Sequence, residues 1–405
     1  MDFLPFVIFD YEVYGYAGLL LLAVVLAVVA IRRKAALSHW VADNALDADA
    51  DDADEVMPMP ALSVIVVAEG CDNEVLGEGI PLMMSQRYTD YEVIVVNADT
   101  SEAVDDAVTR LQTDYPRLRS TFIPDSASNV SKRKLAITLG VKAAVNDVVV
   151  ITSARCLPQS DLWLRAIGRH FDDYTDVVVG YSRNDHSDDR AFGHRYRAFD
   201  CAEDASRYLA AAVHGYTYRA CANNVAYKRS AFFAVKGFSS SLNLKYGDDD
   251  IFINEISHGD NVAVELSAES ILVERNDDFA YVSKLDKERH FFTQKFVKSQ
   301  IPGIRLLTNA AYFLYLLLVV AGLAYPALLY FTGDGEWLKP VTLGSLAFAV
   351  YLTEALIYIF SRRRIARILQ SPRLFFCLPL FRFVRPLVNG MLNWHSQQGK
   401  HYTWE

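Results

Sequence analysis

The sequence predicts an α/β fold with a mostly parallel sheet, together with three transmembrane α-helices. Between residues 61 and 300, short runs rich in β-branched residues alternate with helical stretches, which is the pattern of βαβ units. These strand candidates are almost continuously apolar, as expected when both faces of a sheet are covered. Three longer apolar runs lie at 14–31, 307–331 and 341–360, and we expect each to cross a bilayer.

The composition agrees with a globular domain that is attached to a membrane. Of the 405 residues 52% are hydrophobic, and the formal net charge is −9. An acidic chain lacks the basic footprint that nucleic-acid binding needs, so nucleic acid is excluded as the main partner. The five cysteines are scattered without CxxC spacing, which indicates free thiols rather than a zinc site or a disulfide framework.

The charges around the first apolar run predict an uncleaved membrane anchor. Three acids precede the run and three bases follow it: Asp2, Asp10 and Glu12 before, and Arg32, Arg33 and Lys34 after. A cleaved signal peptide would carry its positive charge before the apolar run. Because basic flanks stay inside, residues 1–13 are expected outside and the following domain in the cytoplasm. We therefore expect an integral protein of a bacterial-type inner membrane.

Two polar segments complete the predicted domain organisation. Residues 32–60 include "ADNALDADADDADE", with seven acids and no base, and predict an acidic cytoplasmic linker. Residues 361–405 carry seven arginines against one acid and predict a basic cytoplasmic tail. Within this tail "LFFCLPLFRFVRPLV" is apolar but interrupted by prolines and arginines, which favours a pair of interfacial helices over a fourth span.

Polar side chains follow the predicted parallel strands, at the edge where ligands of such sheets bind. Five of them lie at or just past the strand ends: Glu69, Asn97, Asp99, Ser153 and Arg155. Three bases, Lys132, Arg133 and Lys134, begin the helical stretch before the strand "DVVVITS". They are candidates for phosphate contacts, and a solvated basic helix start is the alternative.

The segment "YGDDDIF" places three adjacent acids, Asp248, Asp249 and Asp250, at a predicted helix start. Neighbouring carboxylates repel one another, which raises the pKa of one of them and suits general-base work. Acids at this position also cap helices, and this explains one of the three more easily than all of them. Asp248 and Asp249 are the leading candidates for a base.

Taken in order, these segments resemble the membrane-bound family-2 glycosyltransferases. "LSVIVVAEG" and "LMMSQRYTDYEVIVVNADTSE" resemble the opening of that family, and "VITSARCLPQSDLWL" resembles the segment that normally ends in an aspartate-x-aspartate motif. "YGDDDIFINE" is similar to the acidic catalytic motif, and "KERHFFTQKF" to the basic membrane-proximal motif. The resemblance spans residues 62–296. It implies a GT-A fold over 61–300 and the transfer of a sugar from a nucleotide-sugar donor.

The resemblance also implies roles for individual residues. Asp248, Asp249 and Asp250 fall in the catalytic motif, and Arg289 and His290 fall in the motif that caps the acceptor or diphosphate site. Attraction to lipid headgroups is the alternative role of the latter two. The donor-binding positions hold five residues: Glu69, Asn97, Asp99, Lys134 and Arg155.

The metal motif departs from the family pattern. Ser153 and Arg155 stand where two aspartates usually hold Mg²⁺ or Mn²⁺, and Asn97 and Ala98 replace an aspartate pair that reads the nucleotide. Mg²⁺ or Mn²⁺ stays open as a cofactor, but no metal ligand is assigned, because the usual aspartates are absent. Arg155 itself is suited to contact the diphosphate, since its fork matches phosphate geometry, which predicts a metal-independent transferase. A surface arginine at a strand end is the alternative.

Two functions from different classes remain open at this point. The first is a glycosyltransferase of polysaccharide biosynthesis that acts on a lipid-linked or glycan acceptor in contact with membrane lipids. The second is a catalytically degenerate transferase fold that serves as scaffold or regulatory subunit of a glycan-synthesis complex. Three spans do not suffice for a polysaccharide channel, so we expect either non-processive transfer or a membrane protein partner. A transporter would need more spans and more charge within them.

Overall fold

The computed structural model describes residues 11–43, 59–124, 130–185, 191–276, 278–332, 338–372, 374, 377–398 and 403. These residues form two compact units. The catalytic unit contains the described residues of Ala36–Ser299, Ile365–Leu374 and Phe381–Glu405. The helical unit contains those of Met1–Ala35, Gln300–Arg364 and Phe375–Leu380.

The strands of the described chain all belong to the catalytic unit. They are β1 (Leu62–Ala68), β2 (Tyr91–Asn97), β3 (Leu118–Phe122), β4 (Val148–Ser153), β5 (Cys156–Pro158), β6 (Val177–Val179), β7 (Ser182–Asn184), β8 (Val225–Lys228), β9 (Val262–Val264) and β10 (Leu272–Glu274). Seven of them form one sheet in the order β3-β2-β1-β4-β8-β6-β9, and the short strands β5, β10 and β7 form a second sheet.

The large sheet is mostly parallel, which confirms the prediction from the sequence. Strands β3, β2, β1 and β4 run parallel to one another, and β6 is parallel to β9. Strand β8 is antiparallel to both of its neighbours, β4 and β6. The carboxyl ends of β1, β2 and β4 therefore lie at the same edge of the sheet.

The helices begin and end as follows: α1 (Tyr11–Asp43), α2 (Asn73–Met84), α3 (Glu102–Asp114), α4 (Lys132–Ala143), α5 (Trp163–Gly168), α6 (Phe192–Val213), α7 (Arg229–Ala234), α8 (Ile251–Ile256), α9 (Phe279–Thr293), α10 (Ile301–Thr332), α11 (Leu338–Ile368) and α12 (Leu378–Gln398).

Successive side chains of a strand point to opposite faces, and both faces of the large sheet are buried. Ile65 and Ile94 pack in one core with α4 and α6, whereas Val64 and Val93 pack in the other with α2, α3 and α5.

The contact between α4 and β1 depends on Gly140. A Cβ atom at Gly140 would lie 2.4 Å from Cγ2 of Ile65, whereas a Cβ at Gly77 of α2 would meet nothing within 4 Å. We expect Gly140→Ala to destabilise the protein by about 1–3 kcal/mol, the usual range for overpacking. Gly77→Ala is the matched control and should be neutral or stabilising by up to about 1 kcal/mol. Denaturant unfolding of both variants checks this, and equal effects would contradict it.

Three helices are long and apolar enough to cross a membrane: Tyr14–Ala42, Ile301–Phe331 and Lys339–Ile368. They correspond to the three predicted spans, but each helix continues beyond its apolar run. In the helical unit Leu19 and Leu26 of α1 pack against Tyr315 and Val319 of α10. Residues 1–10 of the predicted external N-terminus lie outside the described residues.

The predicted linker over 32–60 is wrong in its first part, because α1 continues to Asp43. Leu37 is fully buried in the core beside α4 and α6, and Nε1 of Trp40 donates a hydrogen bond to the carbonyl of Val264 at 2.5 Å. These two side chains lie on one face of the helix, so they pack on the catalytic unit rather than remaining solvated. Residues 44–58 of the predicted linker lie outside the described residues.

The predicted tail over 361–405 is not a separate segment, since α12 from Phe381 onward packs on the catalytic unit. A single helix, Leu378–Gln398, replaces the expected pair of interfacial helices. Arg385 of α12 is buried and binds two carboxylates of α6, at 2.6 Å to Asp200 and 2.5 Å to Asp204. Arginine inside this apolar segment is thus explained by buried acids on a distant helix, which no local pattern reveals.

Candidate active site

The loop after β1 is held by two residues from neighbouring strand ends. Gly70 has φ +60°, a conformation that glycine adopts without strain. Its N–H donates to Oδ2 of Asp99 at 2.6 Å, and its carbonyl accepts from the guanidinium of Arg155. Nζ of Lys132 lies 3.0 Å from the other oxygen of Asp99. Asp99 and Arg155 are thus brought together at the carboxyl edge of the sheet, as the sequence predicted.

Glu69 belongs to the same edge but makes fewer contacts. It is exposed directly after β1, and the charges of Arg133 and Asp99 act on it. Its carboxylate therefore lies within the electrostatic reach of this edge, and its role in donor binding stays a prediction.

Asn97 has a structural role instead of facing a donor. Its amide oxygen accepts from the N–H of Ser101 at 3.1 Å, and its amide nitrogen donates to the carbonyl of Ser101 and to Asp105, each at 2.9 Å. The side chain is buried, and these bonds order the start of α3. The geometry therefore does not support the prediction that Asn97 binds the donor.

Lys134 also lies apart from the donor-binding edge. Its buried ammonium donates to the carbonyl and hydroxyl of Ser241 at 2.7 and 2.9 Å, and to the carbonyl of Leu244 at 3.1 Å. Burial outweighs the nearby carboxylates and lowers the pKa of Lys134 to about 8. Since three acceptors occupy its three N–H groups, Lys134 holds the loop before the acidic triplet, and the geometry does not support a contact with the donor.

The three acids of the triplet, Asp248, Asp249 and Asp250, have different partners. Asp248 pairs with Arg133 of α4, whose Nε lies 2.7 Å from Oδ2. The same guanidinium donates to the carbonyl of Ala222 at 2.6 Å and to Asn223 at 3.0 Å. Arg133 thus ties the triplet to the loop before β8.

Asp249 is surrounded by cations, all of which face its Oδ2. Nε2 of His290 lies at 2.8 Å, a guanidinium nitrogen of Arg289 at 3.5 Å and Nε of Arg219 at 4.0 Å. Burial opposes ionisation, but the charges of His290 and Arg289 outweigh it and hold the pKa of Asp249 well below its usual range. Oδ1 of Asp249 accepts no hydrogen bond from any residue that the structure describes.

The ring of His290 is oriented by the helix that carries it. Nδ1 lies 2.5 Å from the carbonyl of Asp286, one turn earlier in α9, while Nε2 faces Asp249. Both ring nitrogens therefore face oxygen atoms, one of the backbone and one of Asp249. The predicted basic motif of Arg289 and His290 therefore meets the predicted acidic motif. The last turn of α9 packs inward, since Phe291 and Phe292 are buried.

Asp250 is the helix cap among the three acids. Its Oδ1 accepts from the N–H of Ile251 at 2.6 Å, and its Oδ2 accepts from the hydroxyl of Thr293. Burial, reinforced by the charge of Asp249, raises the pKa of Asp250. Both of its oxygens are occupied, so the prediction of a catalytic role for Asp250 is not supported.

We expect the loss of the helix cap at Asp250 to lower the stability of the folded protein. Asp250→Ala removes the acceptor for Ile251 and Thr293, whereas Asp250→Asn keeps an acceptor and also removes a buried charge. The alanine variant should therefore be less stable than the asparagine variant by about 1 kcal/mol, or about 2–4 °C in Tm for a domain of this size. Thermal unfolding in detergent measures both. An asparagine variant no more stable than the alanine variant would argue against the cap.

The residues present do not fit a Mg²⁺ or Mn²⁺ ion at either candidate place. At the end of β4, Ser153 and Arg155 supply a hydroxyl and a cation, which are not a ligand set for a hard divalent ion. Asp249, Asp250 and His290 do place three ligand atoms within 4.8 Å of one another. However, both ring nitrogens of His290 already face oxygen atoms and both oxygens of Asp250 accept hydrogen bonds, so Oδ1 of Asp249 is the one open ligand atom among these three side chains.

One residue of this site escaped the sequence analysis, and the partner of another could not be predicted. Arg133 was named as a candidate for phosphate contacts, but the basic run does not indicate which of its three members faces Asp248. Arg219 lies in "YTYRACANN", which has no motif, periodicity or charge pattern. Only the fold brings it to Asp249.

The structure is similar to solved glycosyltransferases at low sequence identity. One is the mannosyltransferase PcManGT from Pyrobaculum calidifontis in complex with GDP-Man and Mn²⁺, with 17% identity, a TM-score of 0.48, and coverage of 85% of this chain and 99% of that chain. Another is S. aureus TarS 1-349, with 12% identity, a TM-score of 0.39, and coverage of 84% and 93%. No curated protein matches the sequence.

The family comparison covers most of the catalytic unit. The model of glycosyl transferase family 21 matches residues 20–279, which is more than half of the chain. The match includes β1 to β10 and the acidic triplet, and it ends at the start of α9. The predicted GT-A fold and the prediction of a glycosyltransferase are thereby confirmed, and the chain belongs to glycosyl transferase family 21.

Proposed function

We propose that this glycosyltransferase moves a sugar from a nucleotide-sugar donor to a lipid-linked or glycan acceptor at a membrane. The observation that carries the proposal is the open Oδ1 of Asp249. This oxygen belongs to a carboxylate oriented by His290 and Arg289, within a site that also contains the cation-rich edge after β1 and β4. One group is thus available to take a proton, and others are available to receive negative charge.

The donor diphosphate is proposed to bind at the edge formed by Gly70, Lys132 and Arg155. Arg155 approaches the carbonyl of Gly70 after β1, and Lys132 approaches Asp99 after β2, whose carboxylate accepts from the N–H of Gly70. When the bond to the sugar breaks, the electron pair leaves on the diphosphate. Fixed cations stabilise that developing charge without reorganisation, as an oxyanion hole does.

Acceptor activation is assigned to Asp249. The acceptor hydroxyl attacks the anomeric carbon, the bond from that carbon to the diphosphate oxygen breaks, and the hydroxyl proton passes to Oδ1. A carboxylate with a lowered pKa is a weak base, so the transfer is expected late, when bond formation has made the hydroxyl acidic. Asp248 is the second candidate. Its Oδ1 also accepts no hydrogen bond from a described residue, but its Oδ2 faces the single cation Arg133, whereas Oδ2 of Asp249 faces three cations.

The membrane arrangement is part of the same proposal. The residues after the first apolar run and those after the third are basic, which places both flanks on the cytoplasmic side. The catalytic unit follows the first of these flanks, so we place the donor site in the cytoplasm. This agrees with the cytoplasmic supply of nucleotide sugars, and no self-contained polysaccharide channel is required.

A catalytically degenerate scaffold is the alternative, and one observation favours it. The side chain of Asn97 bonds to the start of α3, and the end of β4 carries no carboxylate. Two of the three positions that are acidic in related enzymes are therefore not acidic in this chain. Calorimetry with the purified full chain and a panel of nucleotide sugars separates the two functions. Saturable binding of one donor, followed by its turnover with membrane lipids, supports the transferase. Absence of binding with and without Mn²⁺ supports the scaffold.

A further inference from the structure

Helix α12 has its polar and apolar faces in the reverse of the usual order. Its outward face carries four large apolar side chains that are 43–66% exposed: Phe383, Leu387, Met391 and Trp394. Three polar residues, Arg385, Asn389 and Ser396, are buried on the opposite face. A helix that packs only on a globular core buries its apolar side chains and exposes its polar ones. The outward face of α12 therefore indicates a second, apolar neighbour.

The inward face of α12 is fixed by polar partners within the catalytic unit. Arg385 pairs with Asp200 and Asp204 of α6, at 2.6 and 2.5 Å. In the last turn, Nε2 of Gln397 donates to the carbonyl of Phe291 in α9 at 3.2 Å. Breaking a buried ion pair is strongly destabilising, so α12 cannot rotate to hide its outward face against the catalytic unit.

The charges of α12 and its surroundings complement an anionic lipid surface. Besides the buried Arg385, the helix carries Arg382 and His395, and it contains no acid. Residues 361–404 as a whole contain seven arginines and one lysine without an acid. Helices with an apolar face and basic residues lie in the interfacial layer of a bilayer, where anionic headgroups attract the bases.

The chain keeps α12 within reach of a membrane. Helix α11 is long and apolar enough to cross one, and it ends at Ile368. Helix α12 begins ten residues later, at Leu378. Ten residues span at most about 36 Å when fully extended, so α12 starts within that distance of the end of α11. This bound comes from chain length and holds for any arrangement of the two units.

The segment after α9 adds basic and apolar side chains beside the last turn of α12. Nζ of Lys295 lies 3.4 Å from the amide oxygen of Gln397. Phe296 is 46% exposed, and Lys298 is exposed as well. An exposed aromatic ring between two lysines suits a membrane surface, because lysine stems cover apolar groups while their ammonium groups reach the headgroups.

We propose that the outward face of α12 lies in the interfacial layer of a lipid bilayer, with the helix axis along the membrane surface. The occupant of this face is lipid and not a second copy of the chain or another protein. Because α12 bonds to α6 and α9, the docked helix holds the catalytic unit at the membrane surface. The docking does not depend on the proposed sugar transfer, so either can fail without the other.

The test uses the photoreactive residue p-benzoylphenylalanine in the full chain, reconstituted in nanodiscs of phosphatidylcholine and phosphatidylglycerol. The probe replaces Leu387 in one variant and Met391 in a second. Irradiation joins the benzophenone to C–H groups in contact with it, and mass spectrometry identifies what has been joined. We expect a lipid adduct at both positions.

Tyr174 is the matched control position for the same probe. It is aromatic and 80% exposed, and it precedes β6, at the amino edge of the large sheet. The lipid adduct at Leu387 should exceed that at Tyr174 about tenfold or more, because the apolar face of an interfacial helix is buried among acyl chains. Equal thermal unfolding of the variants shows that they are folded, and Met391 decides the matter if the Leu387 variant is not.

Other cross-links would overturn the proposal. A cross-link between two chains in proteoliposomes of the same lipids would assign the outward face to a second copy, and one within a chain would show that another segment covers it. Absence of a lipid adduct at both Leu387 and Met391, or an equal adduct at Tyr174, would show that α12 does not dock on lipid. Lipid adducts at Leu387 without any nucleotide-sugar binding would support the docking and contradict the proposed function.

Discussion

Replacement of Asp249 by asparagine is expected to lower kcat by about 10²–10⁴, the usual contribution of a general base. The amide keeps the size of the side chain and still accepts from His290, but it cannot take the acceptor proton. Donor binding should persist, because Asp249 lies on the side of Arg219, Arg289 and His290 and not at the edge that holds the diphosphate. Release of nucleoside diphosphate measures kcat, and calorimetry measures donor binding.

Asp248→Asn is the control that distinguishes the two candidate bases. Asp248 is bound by Arg133 through its Oδ2, so its loss should weaken the local structure and lower kcat less than the loss of Asp249. A larger fall in kcat for Asp248→Asn than for Asp249→Asn would assign the base to Asp248. Thermal unfolding of both variants is needed, because Asp249→Asn leaves three cations without their carboxylate and should also reduce stability.

Arg155→Gln is expected to lower kcat/KM for the donor about 10²-fold, while a chelator leaves the parent enzyme within about twofold of its full rate. A fixed guanidinium at the diphosphate replaces the charge that a metal supplies in related enzymes, and removing such a group costs about 10²–10³ in rate. Arg155→Lys should recover part of the loss, since an ammonium keeps the charge but not the fork. The rates of the parent enzyme and of both variants, measured with and without a chelator, test these expectations.

The neighbouring Arg275 provides a matched control for Arg155. Its N–H donates to the carbonyl of Arg155 at 3.0 Å, but its exposed guanidinium pairs with Glu78. Exposed pairs of this kind contribute little, so Arg275→Gln should leave kcat/KM within about twofold. Loss of all activity on chelation, or full activity of Arg155→Gln, would show that Arg155 does not take the place of a metal.

Much of the catalytic fold was predictable because it is encoded locally. The apolar strands and the helical stretches between them follow from side-chain periodicity. The meeting of the acidic motif with Arg289 and His290 was predictable only through the resemblance to a family, since 39 residues separate Asp249 from Arg289. Their hydrogen bonds then distinguish Asp250, the cap, from Asp249.

Other features could not be predicted, because each depends on a partner that is distant along the chain. The sequence suggests that Lys134 binds phosphate, but in the fold its ammonium is surrounded by acceptors of Ser241 and Leu244, which lie 107 and 110 residues further along the chain. Trp40 lies in what reads as the start of a linker, but it bonds to the carbonyl of Val264. The sequence shows which hydrogen-bonding groups a polar side chain carries. Only the fold shows which partners those groups already bind.

The sequence by itself determined the parallel sheet, the three apolar helices and the acidic and basic motifs, because hydrophobic periodicity and residue chemistry act over short stretches. Only the tertiary structure decided which of the three adjacent acids caps a helix, which pairs with Arg133 and which is surrounded by three cations. The same holds for Arg219, which no motif marks and which the fold brings to Asp249. Charge and hydrogen bonding act through space, so the roles of ionisable residues follow from the neighbours that folding brings to them.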